Sequence, residues 1–449
     1  MKYREALAWL YATQRFGIKL GLENTERLLV ALSVVEGRAL RDRSSMSVRD
    51  GEAMAPQTSA LQLGSARYAT PAQSSPETCS SPRVIHVAGT NGKGSVCAMI
   101  DAIARAAGHR TGLFTSPHLI SFRERVRLNG EKISEEEVAR SLTEIGERIR
   151  DWDPHPTFFE ITTGLALQHF QKTRCEILVL ETGMGGRLDA TNAVQSSVSV
   201  ITPIDFDHEK WLGHSIGQIA KEKAGIIKPR IPVVSAPQRA EAEVIIRQRA
   251  EECDAPLQFV NDPWTKTKIA LRGEHQKMNA AVAIAALQAA RMTTSDDAIA
   301  RGLASIEWPA RFQIWDDRVV IDGAHNPASA RILAQTWQEQ FGHKRATILL
   351  AILRDKNAAE IIEALRPIAS QFVLPQIRSE RALPPKELAQ VISAITPSLP
   401  YSTTPSVAEA ISAAQRTSER ILITGSLHFA GEALAFLRGE PDALEECGQ

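Results

Sequence analysis

Polar and apolar positions along this chain fall into three textures. Over residues 1–36, apolar side chains recur at helical spacing in "YREALAWLYA" and "ENTERLLVALSVVEG", separated by "FGIKLGL", which predicts two helices. From Gly37 to Pro82 the periodicity disappears into Ser, Ala, Gln and Pro, and a long flexible insertion without chemistry is expected there. From Arg83 onward short apolar runs alternate with helical ones. "RVIHVAG", "RTGLFTS", "CEILVLETG" and "SSVSVITPI" have the length of buried parallel strands, while "SVCAMIDAIARAAG", "SIGQIAKEKAGII" and "NAAVAIAALQAARM" have helical period. After "WPARFQ" the alternation restarts with "RVVIDGAH", "ASARILAQTWQEQF", "RATILLAIL", "AAEIIEALRPIA", "QFVLPQI" and "RILITGSLHFAGEALAFL". Two α/β domains are therefore expected, residues 1–307 and a smaller 308–449. No solenoid repeat is present.

Composition narrows the class. A chain of 449 residues exceeds one ordinary core. Lys+Arg and Asp+Glu balance at 52 each, so bulk charge gives no reason to expect nucleic acid or an anionic membrane as partner. Cys79, Cys97, Cys175, Cys253 and Cys447 are scattered and never form a CxxC pair, which points to reduced thiols in a cytoplasmic chain. No apolar run reaches the ~18 residues that span a bilayer, and the N-terminus is unlike a signal peptide.

Candidate chemistry gathers where strands stop. "VIHVAGTNGKGSVCAMI" reads as strand, glycine turn and helix. Glycines 89, 92 and 94 let backbone N–H groups approach phosphate at a helix N-terminus, Lys93 adds a point charge, and Ser95 a hydroxyl. The usual nucleotide loop puts Ser or Thr directly after its lysine, whereas Gly94 intervenes here; a tight structural turn is the plain alternative. Glu181 ends a strand where open α/β sheets bind ligands. Its partner is either Mg²⁺ or an ion pair with Arg187 or Lys93. Asp207 and His208 reach the same sheet edge; a lone histidine is usually structural, but His208 beside a strand-end acid is a metal-ligand candidate. Lys221 and Lys223 read, by spacing alone, as solvated helix charges. In the second domain Asp322 is a candidate for holding an adenosine hydroxyl or an attacking amine, and His325 for ligand contact. Arg311, between the domains, is positioned to reach a transferring phosphate. No Ser–His–Asp set or zincin helix can be inferred.

Several motifs then occur in order: "HVAGTNGKGS", "TSPHLISFRERVRLNG", "FFEITT", "ETGMGGRLDATN", "DHEKWLG", "KEKAGIIK", "HQKMNAAVA", "WPARFQ" and "DGAHNP". Together they resemble folylpolyglutamate synthase/dihydrofolate synthase, a branch of the Mur ligase superfamily of ATP-dependent amide ligases, over nearly the whole chain. The resemblance implies a P-loop ATPase domain with a mostly parallel sheet, followed by a Rossmann-like domain. It implies that Gly89, Thr90, Asn91, Gly92, Lys93, Gly94 and Ser95 cradle ATP phosphates, with Asn279, Arg311 and Asp322 completing the ATP site. Ser95, Ser116, Glu181 and His208 become expected Mg²⁺ ligands over two sites. Lys223 matches a lysine that is carbamylated in this family, and K⁺ is a further candidate ion. Thr157, Phe158, Phe159 and Glu160, with Leu188 and Asp189, are implied to line a pterin pocket. "GIKLGLENTERLL" resembles the stretch that helps bind dihydropteroate. Lys93, Lys223, Arg311 and His325 form the implied catalytic set. The chain departs from the family in its long 37–82 stretch, in Glu209 where Thr or a small residue is usual, and in His428 where an aromatic is expected.

The implied reaction passes the γ-phosphoryl of ATP to a pteroate or folate carboxylate. The amine of L-glutamate then attacks the acyl phosphate and phosphate leaves. Alignment and charge neutralisation by Lys93, Arg311 and Mg²⁺ would carry it, with domain closure excluding water. Expected partners are ATP, L-glutamate and dihydropteroate or tetrahydrofolate, with no nucleic acid and no membrane, in a cytoplasmic monomer. The rivals are a Mur-type ligase acting on a UDP-sugar peptidoglycan precursor, an inactive nucleotide-binding regulator, and a P-loop kinase. The first is disfavoured by "TSPHL" and "GLENTERLL"; the last leaves the paired domains and Arg311 unexplained.

Overall fold

Alternation of side chains along a strand decides which face each apolar residue covers, and here both faces are covered. The computed structural model describes residues 1–17, 21–35 and 81–445. In the first domain β1 (Arg83–Ala88), β2 (Thr111–Phe114), β5 (Ile177–Glu181), β6 (Val198–Ile201), β7 (Val233–Ser235) and β8 (Leu257–Phe259) run parallel. Two short strands, β3 (Val126–Leu128) and β4 (Glu131–Lys132), pair antiparallel at one edge, giving the order β4-β3-β2-β5-β1-β6-β7-β8. Leu178 and Leu180 of β5 face a core built with the N-terminal helices and the helices Glu135–Ile149 and Phe158–Lys172. Ile177 and Val179 face the opposite one, with helices Lys93–Ala106 and His275–Ala289. Each such side chain, fully buried, contributes roughly 1.5–3 kcal/mol, so the β1–β5 pair is held from both sides.

The second domain repeats the scheme with β9 (Gln313–Ile314), β10 (Val319–Ile321), β11 (Ala346–Leu350), β12 (Ala369–Pro375), β13 (Tyr401–Thr404) and β14 (Ile421–Thr424). Their order is β13-β12-β11-β14-β10-β9, parallel except for β9. The expected pair of mostly parallel α/β sheets is the observed one. One loop crosses between them: Ile120 of the first domain is buried in the second domain's core. A Cβ on Gly431 would lie 2.0 Å from the Leu119 carbonyl oxygen, so only glycine allows that approach.

Some elements differ from the pattern reading. The second N-terminal helix stops at Ala31, short of Gly37. The helix of "SIGQIAKEKAGII" stops at Ala224; Gly225 follows as its cap, pressed against Arg187, where a Cβ would sit 2.7 Å from the Arg187 Cα. Helices Glu135–Ile149 and Phe158–Lys172 and the short edge strands were not anticipated; edge strands of two to four residues carry too little alternation to read. The expected insertion, apart from residues 81–82, lies outside the described residues, as do residues 18–20, Cys79 and Cys447. Among the described residues no helix is long and apolar enough to cross a membrane.

Candidate active site

The carboxyl ends of both sheets face a cleft of about 1360 Å³ between the domains. Every residue expected from sequence lines it except Gly89 and Lys223, which lie just beneath its floor.

The floor is the turn after β1. Gly89, at φ 143°, lies against Thr202, where a Cβ would come within 1.9 Å of the hydroxyl. The N–H groups of Thr90 and Asn91 already donate to the Pro203 carbonyl at 3.0 and 3.2 Å. These bonds pin the turn to the segment just after β6, ahead of the first turn of the Lys93–Ala106 helix. No side chain caps that helix, so its N-terminal amides and dipole are left for an anion. The Lys93 ammonium donates to the carbonyls of Gly89 (3.2 Å) and Thr90 (3.3 Å). Lys223 donates to the same Gly89 carbonyl at 2.8 Å. Two amines thus end on one backbone oxygen instead of on a carboxylate.

Reading Lys223 as a solvated helix charge is corrected by its burial: it is 3% exposed, while Lys221 faces solvent. Burial, reinforced by the charge of Lys93, lowers its ammonium to about 7. A lysine so depressed is a nucleophile near neutral pH.

Glu181 at the end of β5 is buried and accepts the Ser116 N–H at 3.1 Å. Burial pushes its carboxyl up, opposed by Lys93, by that N–H and by Arg311. Arg187 is not its partner, since that guanidinium pairs with Glu222 at 2.9 Å. The Ser116 hydroxyl is buried without a hydrogen-bond partner. His208 is lowered to about 4, by burial first and then by Lys356, Lys223 and Lys93, against the opposing pull of Asp207. It is neutral at pH 7 and keeps a lone pair for a ligand. A partnerless hydroxyl, a carboxylate and a neutral imidazole suit a divalent cation that also takes phosphate oxygens. Among the described residues no three His, Cys, Asp or Glu side chains gather as a metal cluster.

Asp207 turns toward the other domain. Lys356, in the loop after β11, reaches it at 2.5 Å, and His325 Nε2 lies 3.6 Å away. Burial alone would raise the carboxyl, but the bond to His325 and the charges of His208, His325 and Lys356 hold it far below the usual carboxylate range. A second bridge runs from Asn326 Nδ2 to Asn91 Oδ1 at 3.0 Å. Sequence reasoning missed Lys356 and Asn326; the acid–lysine pair "DK" just beyond a buried strand was the available signal for the first. Gln276, which accepts from Asn279 Nδ2 at 2.9 Å, and His275, lowered to about 4 by burial and then by Arg311, were missed as well.

In the second domain Asp322 lines the cleft. Its oxygens accept the N–H groups of Phe312 (2.7 Å) and Ala324 (2.8 Å), and burial pushes its carboxyl up, opposed by Arg311. Arg311 donates to its neighbour Ala310's carbonyl at 2.9 Å and faces the cleft. At the opposite end, Thr157 and Glu160 form a capping box at the start of the Phe158–Lys172 helix, and Glu160 also accepts from the Thr25 hydroxyl at 3.2 Å. Asp189 accepts four bonds, from Gly183, Met184 and both donors of Thr191. The apolar wall there is Phe158, Phe159 and Leu188. Thr157, Glu160 and Asp189 hold its shape.

Two family profiles match the chain, the Mur ligase middle domain over residues 87–231 and the Mur ligase glutamate ligase domain over 310–427. Fold and site together define a Mur-type ligase. The dihydrofolate synthase/folylpolyglutamate synthase of Bacillus subtilis is 31% identical, over 95% of this chain and 97% of its own. The chain belongs to the dihydrofolate synthase/folylpolyglutamate synthase family. Among solved structures, Escherichia coli FolC in complex with DHPP and ADP superposes with a TM-score of 0.80 at 28% identity, covering 97% of this chain and 98% of that one. The bifunctional Yersinia pestis enzyme complexed with AMPPNP and Mn ion gives 0.79 at 27%, covering 98% of each.

Proposed function

We propose that this chain is an ATP-dependent ligase that joins L-glutamate to the carboxylate of a pterin-bearing acid: dihydropteroate, a reduced folate, or both. The carrying observation is the pair of lysines converging on the Gly89 carbonyl beneath an uncapped helix N-terminus. The Lys93 ammonium and the free first-turn amides leave positive charge where a polyphosphate would lie, and Lys223 sits below them as a lysine open to modification. Relatives that bind ADP, DHPP, and AMPPNP with Mn support the reading, and relatives acting on folates favour it over a UDP-sugar ligase.

In this proposal Lys93 and the first-turn amides hold the phosphates, and Arg311 approaches the terminal phosphoryl from the other domain. Asn279 and Asp322 belong to the ATP side, with His325 held toward Asp207. Phe158, Phe159 and Leu188 pack the pterin, while Thr157, Glu160 and Asp189 keep that wall in place. Phosphoryl transfer makes the acid's carbonyl carbon electrophilic, and the glutamate amine displaces phosphate in a site closed to water. Magnesium held by Ser116, Glu181 and His208, with Ser95 and a modified Lys223 for a second ion, would supply charge neutralisation at the phosphate oxygens. Carbamylation joins the neutral Lys223 amine to CO₂ with release of one proton and converts a neutral amine into an anionic donor. Residues 1–307 and 308–449 are taken as the two domains of a cytoplasmic monomer, and K⁺ as an additional activating ion.

Mass spectrometry of products from dihydropteroate and from tetrahydrofolate, each with ATP and glutamate, tests the reaction. One added glutamate on either acid is expected, and none on both overturns it. Replacing K⁺ by Na⁺ in that assay reads the ion. Lys223→Ala should lose turnover and regain part of it with added short-chain carboxylate; indifference to both removes the carbamate.

A further inference from the structure

We propose that Lys228 is a positioning residue that locks the loop Gly183–Val194, which carries Leu188 and Asp189, onto the segment that carries Lys223. This rests on the pterin side of the cleft being where the acid binds. Lys228 is 4% exposed and takes no part in the chemistry above. Its ammonium donates to the carbonyl of Asn192 at 3.0 Å and to that of Val194. Those carbonyls close the short 3-10 helix Ala190–Ala193, whose last carbonyls lack amide partners of their own and attract a cation.

The lock has other strands. Asn192 Nδ2 donates to the carbonyls of Arg187 (3.0 Å) and Gly225 (3.2 Å). Arg187 N–H donates to the Glu222 carbonyl at 2.8 Å. Gly186 approaches so closely that a Cβ would lie 2.9 Å from both the Glu222 and Lys223 carbonyl oxygens. The segment 222–228 is thus laced along the 183–194 loop, with Lys223 facing the phosphate turn and Lys228 the far end of the loop.

A third segment meets the same point. The buried carboxylate of Glu26, in the Glu23–Ala31 helix, favours the Lys228 ammonium, although burial lowers it to about 7. A buried cation is costly unless well bonded, and here the bonds it makes fix the loop that shapes the cleft wall. An apolar residue of equal size would fill the space and leave the Asn192 and Val194 carbonyls without this donor.

The test uses the full-length chain as Lys228→Met, with Asn192→Ala as a second variant that breaks a different tie. Steady-state assays and hydrogen exchange are run side by side. In both variants KM for the pterin acid should rise at least about tenfold while kcat and KM for ATP stay within about twofold, a loss of binding and not of chemistry. Amides of residues 183–194 should exchange faster, with those of β1 and β5 unchanged. Unchanged pterin KM and unchanged exchange in that loop, in whichever variant folds, overturns the proposal. If wild type shows no pterin-dependent ADP release, the functional reading fails instead, and the exchange data still decide whether Lys228 holds the loop.

Discussion

In the first domain β1 runs through a glycine turn into the Lys93–Ala106 helix; in the second, β10 runs through Asp322 and Gly323 into the Pro327–Phe341 helix. Both are central strands delivering a helix N-terminus to the same cleft. Their chemistry is opposite. The second helix is capped by Asn326, whose Oδ1 accepts the Ser329 N–H at 2.8 Å, and Asp322 accepts two backbone N–H groups. The first helix has no side-chain cap, and its turn is met by two lysines with only carbonyls to bond. A strand–turn–helix unit therefore leaves room for an anion only where its own polar groups are unsatisfied. The self-satisfied copy serves as a wall and a latch, reaching across through Asn326 and His325.

This contrast can be broken from either side. The largest effect is expected at the unsatisfied end: Lys93→Ala should lose about 10²–10³ in turnover, as for other groups aimed at transition-state charge. Its unfolding midpoint should shift little, because the Lys93 ammonium makes its hydrogen bonds to the Gly89 and Thr90 carbonyls and acts on the Glu181 carboxylate only through its charge. ADP release and urea unfolding on one preparation check both, and near-normal turnover would remove the loop from the mechanism.

At the latch the order reverses. Lys356→Met leaves Asp207 buried beside imidazoles alone and should cost about 3 kcal/mol of stability at pH 7. Asp207's folded carboxyl is held below its ordinary 3.8. The stabilisation is therefore complete above that value and is lost as pH falls through and below it. Urea midpoints of wild type and variant should differ at pH 7, and the gap should begin to narrow only below 3.8 and keep narrowing down to the lowest pH at which the chain stays folded; a gap that does not narrow at all below 3.8 would assign the loss to packing.

The smallest effect belongs to the cap. Asn326→Ala should cost about 1 kcal/mol, together with the bond to Asn91. Thermal unfolding measures this, and no change would mean that water replaces the cap fully.

Much was readable without coordinates. The apolar runs of β1, β5, β6, β11 and β14 announce two parallel sheets, and the residues at their ends announce a nucleotide site, because sheet topology puts strand ends together. Spacing could not separate Lys223 from Lys221. Two positions apart on a helix, they face different surroundings, and only packing shows that one faces the Gly89 carbonyl while the other meets water. Nor could it show that Asp207 is claimed by Lys356, some 149 residues on, or that Ile120 belongs to the other domain's core.

The sequence by itself determined the buried central strands and the glycine turn, which follow from local periodicity and short-range chemistry, and its ordered motifs carried the resemblance to the family. Tertiary structure alone decided which charges are paired, which are left for a ligand, and how the two domains are fastened. Pairing depends on distance and burial, and residues far apart in the chain acquire both only when it folds.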